Sequence, residues 1–523
     1  MSRNFVNYVN QSYSGGQNDT DEPAQLRENQ GTVVKNAYIH QLGALEKRAG
    51  SEVTGDDTGN TAITGQTSWT SPGGTTYFLR STGTELQFLS GSNWTAMDDG
   101  FTTGLKTEFV AAAGKLYIYN GTDNTHSWDG TTTALNSGLV DMGSGVPTGK
   151  YAVYWKDYML VFGDALFEEN TYKGRTYISD LGDPDTYTTA TQWFDVAKND
   201  GQEDRGIFAH ADFLAIGKEK TIHLITGNNP DEWVLSSSSN NQRILENSIG
   251  LASHRSLTQV GSDVWYMGSD GLIRSIVKNE RGGTPLSGIV CGHILTTLSG
   301  LNDGKLSEVA AITFNGRVYF AMPDGSSTFN DLVMVAETRN RLEDVDNPHP
   351  WVEYTNWQPA VWSAYTPSTT PQLYYGNGSA DSITVQVETG SADAEMVGTL
   401  ANSGKIDFDY QGPMIDFKQP AMHKTSRFLI VSGESGGNYN IEVSTSLDGN
   451  TFLKHGDLSL NAGDLWNTGV WDTATWGYAT TIEEKFALGR ASKQIMVRQR
   501  NNAANQDVKI NPFTIAIKPK KIK

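Results

Sequence analysis

Apolar residues in this chain come in short runs closed off by Gly, Asp or Asn. Over 206–276 the layout is plain. Phe213, Leu214 and Ile216 form one run and Ile222, Leu224 and Ile225 the next. After a polar stretch come Val264, Trp265, Tyr266 and Met267, then Leu272, Ile273 and Ile276. Short β-rich runs with turn residues between them predict antiparallel hairpins. The unit recurs at 75–79 and 85–89, closed by Trp94, and again at 109–119, 151–163 and 309–322. The last of these turns on Asn315-Gly316, a strong hairpin signal. The turn positions Gly114, Asp157, Asp212, Asp263 and Gly316 stand 43 to 55 residues apart. A repeat of that length holds four short strands, which is the sequence mark of a β-propeller blade. Each blade buries its faces only against its neighbours, so the series must close into a ring or be capped.

The pattern therefore predicts an all-β chain: a β-propeller of about six or seven blades over 66–390, preceded by an N-terminal extended arm. Residues 1–65 form that arm and a docking strand. Residues 391–523 form a C-terminal β-sandwich-like module that either stands apart or helps to close the propeller. Separate β-sandwiches with similar turns are the competing architecture. Within the C-terminal part, 428–431 and 439–443 read as paired strands. The stretch 481–490 reads as a short helix or irregular crossing, and a long loop carries Trp466, Trp471 and Trp476. The terminal Lys-Pro-Lys-Lys-Ile-Lys reads as a solvated end.

Composition agrees with many turns and many short strands. There are 55 Gly, 13 Trp and 21 Tyr in 523 residues, and aromatic residues favour strands. The formal net charge is −19. Proteins that grip nucleic acid by its phosphates carry a basic face, and this balance argues against such gripping. Cys291 is the only cysteine, so neither an intrachain disulfide nor a multi-cysteine metal site can form. Its neighbours Ile289 and Val290 predict a buried thiol acting as a small hydrophobe. No apolar run approaches the roughly 20 residues that span a bilayer. No secretory leader is recognisable in the first residues, so the chain is expected to be made in the cytosol.

Enzyme signatures are sparse. The chain lacks a phosphate-binding P-loop, His-Glu-x-x-His, Gly-x-Ser-x-Gly and an EF-hand loop. His210, His223 and His254 show no ligand spacing, and no catalytic residue, metal or cofactor is predicted. Residues 446–452 resemble the Asp-box of sialidase-type propellers with one residue missing, but Ser-x-Asp-Gly is also an ordinary hairpin turn. Glycoside cleavage needs two carboxylates about one bond, and the sequence does not locate such a pair. Trp351, Trp357 and Trp362 fit core or blade-edge packing better than sugar stacking.

Three stretches carry a resemblance. The first is Leu-Gly-Ala-Leu-Glu-Lys-Arg-Ala-Gly at 42–50, a strand ending in a Lys-Arg-x-Gly turn. The second is the central strand, Gly-Lys, strand pattern over 213–227, continued by 249–276. The third is the strand pair at 494–517. Together they resemble the β-propeller nozzle, or tail tubular, proteins of short-tailed bacteriophages and the related packaged-DNA stabilisation proteins. The resemblance implies a structural virion component at the tail. Copies of the chain would form a ring, taken as a hexamer, beneath a tail adaptor or portal-proximal ring, with tail fibres or tailspikes as further partners. Double-stranded DNA would pass through at ejection without specific binding. On this reading Lys47 and Arg48 are candidates for subunit docking; the alternative is charged protection of an edge strand. Ser236, Ser237, Ser238, Asn240, Asn241 and Arg243 belong to a long polar loop expected to face the channel or a neighbouring subunit. The loop at 338–350 is a second such candidate. The alternative function is a propeller that binds or degrades glycans.

Overall fold

The computed structural model describes residues 6–40, 43–56, 61–167, 170–188, 192–233, 241–277, 288–344, 346–379, 381–394, 404–434, 439–460 and 481–519. Seven antiparallel groups of three or four strands follow one another along the chain, the sixth as part of a larger sheet. The first strand of each lies against the first strand of the next, except that the strand at Asp204–Ala209 meets the turn His254–Ser256 leading into the following strand, and the strand at Pro359–Tyr365 returns to the strand at Ile63–Thr70. The ring therefore closes after seven blades, which start at Ile63–Thr70, Glu108–Ala112, Tyr151–Trp155, Asp204–Ala209, Thr258–Val260, Ala310–Phe314 and Pro359–Tyr365. Blade 5 has three strands among the described residues, and its third is extended by a bridge from Arg274 to Ile289.

Alternation explains why these segments are strands. Each seam between blades buries its own apolar cluster. Between blades 1 and 2 sit Trp69, Leu79, Met97, Ile118 and Trp128. Between blades 3 and 4 sit Trp155, Leu160, Ile207, Leu214 and Trp233. Trp351, Trp357 and Trp362 are all buried in cores around blade 6, and Cys291 is buried in the seam of blades 5 and 6. The seam between blades 7 and 1 is different. Among the described residues its apolar cluster is Phe78, Trp94 and Tyr374, with Leu89 and Tyr365 against it. Hydrogen bonds supply much of the rest. Gln66 Nε2 donates to Ser363 Oγ at 2.5 Å, Arg80 Nη1 donates to the Ser382 carbonyl at 2.6 Å, and the Thr61, Thr82 and Ser382 hydroxyls form a ladder.

The strand that completes blade 7 comes from the N-terminal part, not from the C-terminal module. Ser51–Val53 pairs antiparallel with Thr384–Val387, in the register Val53 to Val385 and Ser51 to Val387. Residues 6–40 and 43–53 are thus woven into the fold rather than forming a free arm. Val33–Lys35 inserts between blade 6 and the C-terminal module. It pairs in parallel with Glu353 of blade 6 on one side and antiparallel with Ile406–Gln411 on the other. One sheet of nine strands results, running from the propeller into the C-terminal module without a break.

That module is a two-layer sandwich. The second layer runs Thr481–Ser492, Lys424–Glu434, Lys509–Pro519, Leu45–Lys47, Ala37–Ile39, with Val6–Val9 also on Lys509–Pro519. Leu429, Val431, Ile441, Val443, Val497, Ile510 and Ile515 fill the space between the layers. The stretch 481–490, expected as a short helix or irregular crossing, is a strand: Phe486 and Leu488 alternate inward while Lys485, Ala487 and Gly489 face water. Trp466, Trp471, Trp476 and the last four residues of the basic tail lie outside the described residues. The Asp-box-like stretch is a hairpin turn with Asp448 and Gly449 at positive φ. Its Asp448 carboxylate accepts from the backbone of Lys493 and Gln494 at 2.8 and 2.9 Å.

Gly50 sits where the closing strand passes the chain end of blade 7. A Cβ there would meet the Ala392 carbonyl oxygen at 1.9 Å, and backbone cannot give way as a side chain can. Gly100 is the control, since a Cβ would approach nothing nearer than Asp98 Oδ1 at 3.4 Å. In chemical denaturation Gly50→Ala is expected to destabilise by at least about 1–3 kcal/mol, as overpacking does, and Gly100→Ala by no more than about 0.5 kcal/mol. Equal effects would contradict the closure described here.

Candidate functional site

Every blade contributes a first strand or its lead-in to the axis, which encloses a cavity of about 280 Å³ lined by residues such as Gln66, Glu108, Val153, Ile207, Leu257, Ala311 and Trp362. One side chain bridges it. Arg255 lies on a 3-10 turn, His254–Ser256, that leads into blade 5. Its Nε donates to Glu108 Oε1 of blade 2 at 3.0 Å. Its Nη2 donates to the carbonyls of Thr64 in blade 1 at 2.5 Å and Thr107 at 3.0 Å, and Nη1 reaches the Ala360 carbonyl of blade 7 at 3.5 Å. The planar guanidinium fork suits this: its donors point outward in fixed directions and stay charged at any physiological pH. Arg255 and Glu108 are 8% and 19% exposed, so their attraction is less screened than that of a surface pair.

Other groups support the same point. His254 Nε2 stands 3.8 Å from Glu108 Oε2, and its ring lies 4.7 Å from the Tyr151 ring, centroid to centroid. Burial pushes the His254 imidazole below its ordinary range, so it is neutral near pH 7 and leaves Arg255 as the charge that faces Glu108. Lys106 pairs with Glu308 at 3.0 Å and donates to the Ser307 carbonyl at 2.6 Å. This ties the start of blade 2 to the lead-in of blade 6.

The arrangement acts as a fastening. Glu108 is the one carboxylate among the lining residues, and Arg255 holds it, whereas glycoside cleavage employs two. Nor can duplex DNA, whose major groove alone is about 12 Å wide, run along this axis, because Arg255 crosses it from blade 5 to blades 1, 2 and 7. Among the described residues no cluster of His, Cys, Asp and Glu could hold a metal ion.

The residues singled out in the sequence lie elsewhere. Lys47 and Arg48 do not face a neighbouring subunit; both are buried, 3% and 1% exposed, at the junction of propeller and sandwich. Arg48 forms a bidentate pair with Asp393, Nη1 to Oδ1 at 2.8 Å and Nη2 to Oδ2 at 2.6 Å. It also donates to Asn36 Oδ1 at 2.9 Å and the Thr355 carbonyl at 2.8 Å, and lies 4.5 Å from the Trp357 ring. Asp393 takes further bonds from Ser51, Asn356 and Trp357. A short apolar strand followed by Lys-Arg read as edge protection or docking because sequence does not show the distant carboxylate that neutralises the arginine.

Ser236, Ser237, Ser238 and Asn240 lie outside the described residues. Asn241 and Arg243 are described, and they do not line the axis. Arg243 is on the outermost strand of blade 4, Gln242–Glu246, opposite Leu224, and the Asn241 carbonyl accepts from Thr226 at 3.0 Å just before that strand. The 338–350 loop likewise joins the third and fourth strands of blade 6, away from the axis. Long polar loops signal surface, but only the strand order tells inner from outer. Arg255 was missed because a lone arginine in a turn carries no sequence signal.

No family model matches the chain, and no curated protein does. Among solved structures, the chain is similar to the AfRom2 CNH domain at 8% identity and a TM-score of 0.35, covering 64% of this chain and 98% of that one. An exo-beta-1,3-galactanase from Phanerochaete chrysosporium, solved with galactose, gives 10% and 0.28, covering 90% and 100%. The structure of BBS1N in complex with ARL6DN gives 10% and 0.37, covering 68% and 98%. Likeness this distant carries no functional argument.

Arg255→Met keeps most of the bulk but removes the donors, leaving Glu108 and three carbonyls without them. The expected cost is about 1–3 kcal/mol. It should be read by hydrogen exchange as faster exchange in the first strands of blades 1, 2 and 7, with blade 4 least affected. Uniform change, or none, would contradict the fastening role.

Proposed function

We propose that this chain is a structural virion protein, a subunit of the tail nozzle or tail-tube hub of a short-tailed bacteriophage. In this reading copies associate into a ring, taken as a hexamer, that closes the DNA channel before infection and conducts DNA at ejection. An adaptor or portal-proximal ring lies above, and fibres or tailspikes are further partners. The observation that supports it best is mechanical. The propeller axis is bridged by Arg255, and a nine-stranded sheet fuses the propeller to the sandwich. Such a body suits a rigid building block, and a channel for DNA would then lie between subunits, not within one. The three resembling stretches fit this, because two of them supply the junctions: 42–50 carries Arg48, and 494–517 supplies strands of both sandwich layers. A net charge of −19 disfavours phosphate gripping, which would stall a moving duplex.

The test is electron microscopy and mass photometry of the purified protein at rising concentration, together with duplex-DNA retention and a glycan array at physiological salt. Closed rings with a central opening, without retained DNA or glycan, are expected. A protein that stays monomeric and binds a defined glycan would overturn the proposal in favour of a glycan-directed propeller.

A further inference from the structure

Lys47 and Asn501 face each other across the sandwich. Lys47 ends the strand Leu45–Lys47 of one layer, and Asn501 lies in Ile495–Ala503 of the other. They are 3% and 4% exposed. Lys47 Nζ donates to Asn501 Oδ1 at 2.8 Å and to the Ala503 carbonyl at 2.5 Å. The Asn501 amide is fixed from its other end too, Nδ2 donating to the Asn440 carbonyl and to Gln506 Oε1, each at 2.8 Å. The amine therefore meets a side-chain amide that cannot turn away. A buried ammonium ordinarily has a carboxylate against it; among the described residues Lys47 has none within ion-pair distance. Burial, and after it the neighbouring Arg48, lower its pKa to about 8, so the nucleophilic neutral amine is within reach near physiological pH. Asp507 adjoins Val508, whose carbonyl accepts from the Lys47 backbone N–H at 2.8 Å; of the carboxylates acting on Lys47 it acts most strongly, and partial desolvation favours its acid form.

From this geometry we infer that Lys47 and Asn501 become joined by an intramolecular isopeptide bond. The Nζ lone pair attacks Asn501 Cγ; the Asp507 carboxylic acid gives its proton to Nδ2 and takes up in turn the proton that Nζ loses. The Cγ–Nδ2 bond then breaks and ammonia leaves. One C–N bond forms and one breaks, and nothing is oxidised or reduced. Holding amine and amide together in a packed core supplies the proximity that an intermolecular reaction lacks. Lys156 and Asn228 make the same 2.8 Å contact at an exposed position; there water competes and the amide is free to rotate, so that pair stays open. The bond would clamp the two sandwich layers and enclose the propeller in a loop spanning a sequence separation of 454 residues. A cross-link of this kind restricts the unfolded chain as a disulfide does, in a chain whose single cysteine permits no disulfide within it.

Mass spectrometry of the full-length, denatured protein tests this. The wild type is expected one ammonia lighter than its sequence, with a branched tryptic peptide joining the Lys47 and Asn501 segments and no cleavage after Lys47. Lys47→Arg and Asn501→Ala should carry the full mass and migrate more slowly on a denaturing gel. If either fails to fold, Asp507→Asn serves instead: cross-linked product should accumulate about 100-fold or more slowly, as loss of acid–base help implies. A wild type of full sequence mass that is cleaved after Lys47 would overturn the inference. So would an ammonia loss that persists in Lys47→Arg.

Discussion

A propeller depends on the closure of its ring. Seven blades each bury one face against the next, and no blade is stable with that face in water. Six seams have substantial apolar clusters, whereas the seventh, between blades 7 and 1, rests on a small cluster and on hydrogen bonds from Arg80 and Gln66. The closing strand Ser51–Val53 sits on that last blade, and three residues before it Arg48 pairs with Asp393, with side chains 0% and 2% exposed. Asp393 follows blade 7, while Thr355 and Trp357, which also hold this pair, follow blade 6. One buried ion pair thus gathers the N-terminal segment and the ends of two blades at one point. A buried pair need not add net stability, but removing one partner strands the other charge.

The same economy of position governs the axis. Arg255 reaches from blade 5 to carbonyls and a carboxylate of blades 7, 1 and 2, opposite the seam with the smallest apolar cluster. The two arginines act from inside and outside the ring, and both use the guanidinium fork to satisfy several acceptors at once. The Val33–Lys35 strand adds the third connection, carrying the blade 6 sheet into the sandwich.

Much of the fold was legible because blades are local. Alternating apolar runs such as those at 213–225 and the turn at Asn315-Gly316 announce hairpins whose partners lie a few residues away, and repetition gives the ring. The closure was not legible, since it joins residue 53 to residue 385 and residue 48 to residue 393, and nothing in the local pattern records such pairs. The strand at 481–492 was obscured for a related reason. Its Glu-Glu-Lys and Gly-Arg flank two inward residues, Phe486 and Leu488, and only the pairing with Lys424–Glu434 makes the alternation visible. At the site, a polar serine and asparagine run drew attention to an outer-strand loop, while the single arginine that occupies the axis looked like any other surface charge.

Lys47 and Arg48 stand side by side, yet their environments differ: the arginine has a carboxylate, the lysine an amide. The account rests most directly on the arginine. A double-mutant cycle with Arg48→Met, Asp393→Asn and the pair, followed by chemical denaturation, measures whether the two act as one unit. Strong coupling is predicted, with Arg48→Met alone costing about 3–5 kcal/mol and the double variant much less than the sum of the singles. Additivity within about 0.5 kcal/mol would contradict the view that this pair locks the ring.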